Sequence, residues 1–319
     1  MARIKLLVST ALFLALPLLL SNCLKNNNSL TSTASDPTTN LAEANDPWKK
    51  LKKSRGDKGG LPPDRLEALG EIALQSGDYE SSLINFMEIL KNNPQRYDLH
   101  YKVGVIFLIA GQFEAARGEL ALVLVHRPEM LQAHEALGLV HLQEKKYPMA
   151  IEEFQLVLSQ EPGRANTRHL LGITYLEAGQ SAKAVAELKR AVESDRRQVA
   201  SYIALGQAYT KMKDYQKAIA CLKQGLSVDP KNQKLNHQLG MALAGDKRYT
   251  EAMDAFMKAG DEAQACNNIG VHYFVAGQYE DAAKCFQRAI ELRPTFYDEA
   301  KSNLQRALEK LHQAHKDDS

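Results

Sequence analysis

The sequence predicts an all-α protein, a right-handed α-solenoid of seven helix-turn-helix repeats closed by a C-terminal capping helix. Three observations predict it. Gly70, Gly104, Gly138, Gly172, Gly206 and Gly240 are each 34 residues apart, Gly270 follows after 30, and an aliphatic residue precedes every one. Twelve residues after each glycine stands a small residue (Ser82, Ala116, Ala150, Ala184, Ala218, Ala252, Ala282), and four further on a bulky one (Phe86, Leu120, Phe154, Leu188, Leu222, Phe256, Phe286). Pro94, Pro128, Pro162, Pro230 and Pro294 then close five of the seven units.

Each position has a physical reason. Glycine inside a helix costs about 1 kcal/mol relative to alanine, so seven of them need a packing explanation. The expectation is that the glycine of the first helix (A) meets the small residue of the second (B), so that two backbones approach closely. The bulky residue one turn later fills the wedge beside that contact. Proline ends helix B by lacking an N–H and clashing with the preceding turn. Short turns separate A from B: GDY, GQF, KKY, GQS, KDY, KRY and GQY.

This spacing of leucine-glycine, alanine, phenylalanine and proline resembles the tetratricopeptide repeat (TPR) pattern. It places repeats at 63–96, 97–130, 131–164, 165–198, 199–232, 233–262 and 263–296. Two units are irregular. The fourth carries Arg196 where proline is expected, and the sixth is four residues short at MKAGDEAQA. Four residues is about one helical turn, so helix B of that unit is expected to end at Gly260. In residues 297–319, Ala300, Leu304, Ala307, Leu308 and Leu311 fall on one helical stripe, opposite Lys, Glu, Gln and Arg. A solenoid needs such a polar-backed terminal helix to stay soluble.

The N-terminus reads differently. Arg3 and Lys5 precede an apolar run from Leu6 to Leu20 broken only by Ser9 and Thr10. That is the build of a secretory signal peptide, and it is short of the roughly 20 apolar residues a spanning helix needs. Leu20, Ser21, Asn22 and Cys23 resemble the bacterial lipobox, with residues 1–22 removed and Cys23 lipidated; Asn22 departs from the usual Gly, Ala or Ser. Residues 23–62 are polar, without hydrophobic periodicity, and are expected to form a flexible tether. Within it, WKKLKKSR (Trp48 to Arg55) reads as a solubilising linker or a contact with anionic headgroups.

Charge and motifs exclude several classes. The whole chain has 40 Lys and Arg against 38 Asp and Glu, and loss of Arg3 and Lys5 with the signal balances it. Nucleic-acid binders carry a basic excess, so none is expected here. Signal, tether, repeats and cap account for every residue, and no phosphate loop, HExxH, GxSxG or CxxC is present. We therefore expect no enzyme, cofactor, metal site or small-molecule substrate. His134 and His141 are read as packing between helices, and His312 with His315 as a surface pair. Cys221, Cys266 and Cys285 are odd in number, which leaves at least one free; Cys266 and Cys285 lie on facing helices, where a bridge is the alternative, and are read as small, partly buried thiols.

In the TPR pattern the A helices line the concave face through positions 2, 5, 6, 9, 12 and 13. In the second to fourth repeats this gives Tyr101, Val105, Leu108, Ile109, Leu139, Leu142, Ile173 and Leu176, an apolar stripe expected to hold a protein partner. The alternative is that the superhelix closes over them. Further along the stripe turns polar, at Gln207, Lys211, His237, Gln238, Asn267 and Asn268. Chaperone-binding TPR domains use lysines and asparagines here to clamp a carboxylate; Glu67 and Glu71 stand in those places, which argues against a cochaperone.

Anchor, tether and solenoid resemble the TPR lipoproteins of bacterial pilus and secretion systems. ACNNIGVHYFVAGQYEDAAKCF, after the shortened unit, most resembles the Tad (Flp) pilus-assembly lipoprotein family. The resemblance implies an outer-membrane protein facing the periplasm, with pilus or secretin components as partners. Leu24 after the cysteine agrees with outer-membrane sorting. A second class is an adaptor that recruits cell-wall hydrolases or synthases.

Overall fold

The structure, a computed structural model, describes residues 61–293 and 298–317. The signal segment, Cys23, Trp48 and Pro294 lie outside the described residues. All regular structure among the described residues is helical, and the chain divides after Gln160 into two compact units. The first unit holds three A/B pairs: α1 (Pro63–Ser76) with α2 (Tyr79–Asn92), α3 (Tyr97–Ile109) with α4 (Phe113–His126), and α5 (Leu131–Gln143) with α6 (Tyr147–Gln160). The second holds four pairs: α7 (Ala165–Glu177) with α8 (Ser181–Ser194), α9 (Val199–Lys211) with α10 (Tyr215–Val228), α11 (Gln233–Gly245) with α12 (Tyr249–Ala259), and α13 (Glu262–Val275) with α14 (Tyr279–Leu292). The cap, α15 (Asp298–Asp317), packs on α14 and α13.

The repeated glycine works differently from the expectation. A Cβ on Gly70, Gly138, Gly240 or Gly270 would lie within 3.0 Å of the ring of Phe86, Phe154, Phe256 or Phe286 respectively. Leu120, Leu188 and Leu222 sit the same way over Gly104, Gly172 and Gly206. The bulky residue is thus seated on the glycine itself rather than in a wedge beside it. The small residues, Ser82 to Ala282, are all fully buried.

Each A helix ends in the same way. The residue after its last turn is left-handed, with φ of 73–79° at Gly77, Gly111, Gly179 and Gly277, and 59–62° at Lys145, Lys213 and Lys247. The next N–H then reaches back to a carbonyl five residues earlier, as Asp78 N to Ala73 O (2.8 Å) and Asp214 N to Tyr209 O (2.9 Å). This is the Schellman arrangement, which normally selects glycine because a Cβ disfavours positive φ. Helix α8 stops without its proline. Asp195 follows Ser194, and its carboxylate accepts from Arg197 N at 2.9 Å, turning the chain. Helix α12 ends at Ala259 with Gly260 as its cap, as the shortened sixth repeat requires. Asp261 then caps α13 by accepting from Gln264 N at 2.9 Å.

On the cap, Ala307 packs with Ala282, Ala283 and Phe286, and Ala300 with Cys266 and Ala289. Leu304 is partly buried, whereas Leu308 is about half exposed, so the buried stripe is narrower than the sequence pattern implied.

Candidate functional site

Numbering positions from the first residue of each repeat shows which side of an A helix remains free. The fifth position is taken by the following A helix or, in the seventh repeat, by the cap. In the second unit His169 Nδ1 lies 3.0 Å from Ser201 Oγ, and Asn267 donates to Glu299 Oε1 (3.3 Å) and accepts from Asn303 Nδ2 (3.2 Å). In the first unit Glu67 accepts from Arg96 Nη2 at 2.8 Å, and α3 packs against α5. The twelfth position is seven residues on, two helical turns, and therefore lies on the same side.

That geometry corrects the expected apolar stripe. Tyr101 holds a fifth position, and Leu108, Leu142 and Leu176 hold twelfth positions; all four are buried. Val105, Ile109 and Leu139 are buried too, and α3 is buried without a break from Tyr101 to Ile109. Of the eight residues only Ile173 is not buried. The other seven side chains offer no open surface, which is the closed alternative. Asn267 is likewise buried, and its amide holds the cap rather than a partner.

The ninth and thirteenth positions behave differently in the second unit. Ile173, Gln207 and Met241 are half-buried, Glu177 and Lys211 are exposed, and Val271 and Val275 are 38% and 79% exposed. Val271, Phe274, Val275 and Phe286 line a solvent-open cavity of about 130 Å³ together with Asn303 and Arg306 of the cap. The Arg306 guanidinium lies 5.2 Å from the Phe274 ring centre. The sequence reading singled out neither valine. The signal was available, because the same positional rule, carried on into the seventh repeat, selects both.

Glu67 and Glu71, which stand where a carboxylate clamp would place lysine and asparagine, are spent internally. Glu71 pairs with Lys102, whose side chain is 4% exposed and lies 5.6 Å from the Phe86 ring centre. Burial pushes the His169 imidazole down to about 4 and lowers His141, His237 and His272. These rings are neutral near pH 7. His134 sits between α5 and α6, on Glu153, while His141 is buried. The three cysteines among the described residues are free thiols, and burial raises Cys221 to about 12 and Cys285 to about 11. Such thiols are protonated and poor nucleophiles.

Comparison with known proteins follows the same lines. The family described as tetratricopeptide repeat matches residues 67–127, 110–165 and 203–265 in one form and 263–296 in another. The family described as anaphase-promoting complex, cyclosome, subunit 3, matches residues 143–225. No curated protein matches in sequence. Among solved structures, a tetratricopeptide repeat protein from Parabacteroides merdae is similar at 15% identity, covering 77% of this chain and 98% of that one, with a TM-score of 0.58. The C-terminal part of a TPR repeat-containing protein from Cytophaga hutchinsonii gives 15% identity, 76% and 99% coverage, and 0.59. MamA from Desulfovibrio magneticus gives 22% identity, 54% and 97% coverage, and 0.50. At these identities the likeness is one of fold.

Proposed function

The chain belongs to the tetratricopeptide repeat family, and from that premise we propose that it is a lipid-anchored scaffold that holds a protein partner against the A helices of its second unit. TPR repeats make it a protein–protein interaction scaffold. One observation supports the location. The ninth and thirteenth positions there mix exposed valine with lysine and glutamate, and in the seventh repeat Val271 and Val275 border a cavity with Arg306 beside it. An exposed apolar patch with a polar rim is the composition of a partner site.

The anchor is Cys23, on the lipobox-like Leu20 to Cys23, and the setting is the bacterial outer membrane, facing the periplasm. The resemblance to Tad pilus-assembly lipoproteins supports assistance to a pilus or its secretin. Mild crosslinking of the native protein in its own cells, followed by co-purification, tests this. Pilus or secretin subunits are the expected catch; cell-wall hydrolases or synthases in their place would replace this reading with the adaptor.

A further inference from the structure

The fourth position of the A helix makes the same joint in successive repeats. His100 Nδ1 lies 2.5 Å from Glu119 Oε2, and its Nε2 lies 3.0 Å from the Pro94 carbonyl. His134 repeats this, with Nδ1 2.6 Å from Glu153 Oε2 and Nε2 3.0 Å from the Pro128 carbonyl. In the fourth repeat Arg168 takes the place. It donates to the Pro162 carbonyl from Nε (3.0 Å) and Nη2 (2.8 Å), and to Glu187 Oε2 from Nη1 (2.8 Å). In the fifth, the uncharged Tyr202 hydroxyl reaches the Arg196 carbonyl at 3.3 Å. In the second to fourth repeats one side chain thus ties the closing residue of the preceding repeat to helix B of its own repeat.

The proton count of the histidine joints follows from their partners. A carbonyl and an ionised carboxylate can only accept, whereas a neutral imidazole has one donor and one acceptor. Both contacts form together only if the His–Glu pair holds one proton more than a neutral imidazole beside a carboxylate. Arg168 meets the same requirement with a permanent charge.

We propose that His100 is a proton-operated joint of the first unit: protonated, it locks two neighbouring repeats, and loss of the proton with rising pH releases one of its two bonds. The groups facing His100 are Glu119 of α4, the Pro94 carbonyl, and Asp98 and the Tyr97 ring of α3. Burial opposes the charge on His100, yet the Glu119 hydrogen bond and charge, the Pro94 carbonyl and Asp98 together raise its pKa above the usual imidazole value. A raised folded pKa gives stability that is complete below the unfolded pKa and lost as pH rises through the folded one.

The test is hydrogen exchange on the full-length protein at pH 5.5 and pH 8.5, as protection factors over α2 and α3 so that base catalysis of exchange cancels. Protection in the wild type should fall roughly fivefold at the higher pH, the worth of one net hydrogen bond. His100→Arg, which borrows the Arg168 solution, should hold it constant, and His100→Gln should keep it low at both. Equal pH dependence in the wild type and His100→Arg would overturn the proposal. Should the arginine variant fail to fold, NMR titration of the His100 ring in the wild type decides: a midpoint above 6.5 is expected, and one below it overturns the joint.

Discussion

Gly172 and Leu188 face each other so closely that a Cβ on the glycine would lie 2.5 Å from Leu188 Cγ and 2.7 Å from its Cδ2. Leu188 is fully buried, and the atom in the way is its branch carbon, which no rotation of the chain end can move aside. Gly172→Leu should therefore destabilise by about 1–3 kcal/mol or more, the usual cost of overpacking. Gly163 has nothing within 4 Å of its would-be Cβ, so Gly163→Ala serves as the control and should be nearly neutral. Chemical denaturation of the two variants checks the pair, and equal effects would refute the contact.

Lys213 holds φ of 61° in a turn where four sister repeats place glycine. Its side chain is exposed. A left-handed non-glycine residue costs about 1–2 kcal/mol, and glycine returns part of that as unfolded-state entropy. Lys213→Gly should raise stability by up to about 1 kcal/mol, with the same sign for Lys145→Gly and Lys247→Gly. The reverse change, Gly179→Ala, should lower it. Denaturation midpoints of all four give the comparison.

Leu139→Glu separates a packed helix from an open binding face. Leu139 is completely buried, and an unpaired carboxylate there must be desolvated or protonated. Stability should drop by several kcal/mol, of the order seen for uncompensated buried charges. A thermal melt should show this before any partner is added. A variant melting with the wild type would restore Leu139 to the surface.

The repeat architecture was legible because period and packing agree. A glycine that must admit Phe86 or Leu188 recurs at fixed spacing, and so do the turn residue and the closing proline. What the pattern missed depends on neighbours. Asn267 and Tyr101 share the fifth position, and nothing in one repeat's residues says that the next A helix will cover it. The Asp195 turn, which does the work of the proline missing at Arg196, and the His100 and Arg168 joints were hidden for a like reason. Each is a hydrogen bond to a backbone group, which leaves no composition signal. Val271 and Val275 satisfy the positional rule, but two valines beside His272 and Tyr273 are a weaker apolar signal than the unbroken run of α3.

Cys23→Ser should abolish labelling by a fatty-acid probe and release the protein from membranes. One acyl chain anchors only marginally, so stable attachment requires the several chains that lipobox processing installs. Labelling of the serine variant equal to wild type would sink the lipid-anchor reading while leaving the solenoid untouched.

Val275→Glu tests the partner surface without disturbing the fold. Val275 is 79% exposed, so a charge there stays hydrated, and surface changes of this kind usually alter stability by no more than about 0.5 kcal/mol. Binding should respond differently, because an apolar contact beside the Val271, Phe274 and Phe286 cavity would be replaced by a carboxylate that complex formation must desolvate. A residue central to the contact should cost about 2 kcal/mol or more, close to thirtyfold in affinity. Arg306 is part of the same cavity wall, so Arg306→Glu should weaken binding of an acidic partner more than Arg306→Gln does. The measurements are a thermal melt and a titration with whichever partner the crosslinking identifies. An unchanged melt with unchanged affinity for Val275→Glu would move the binding surface elsewhere on the repeats.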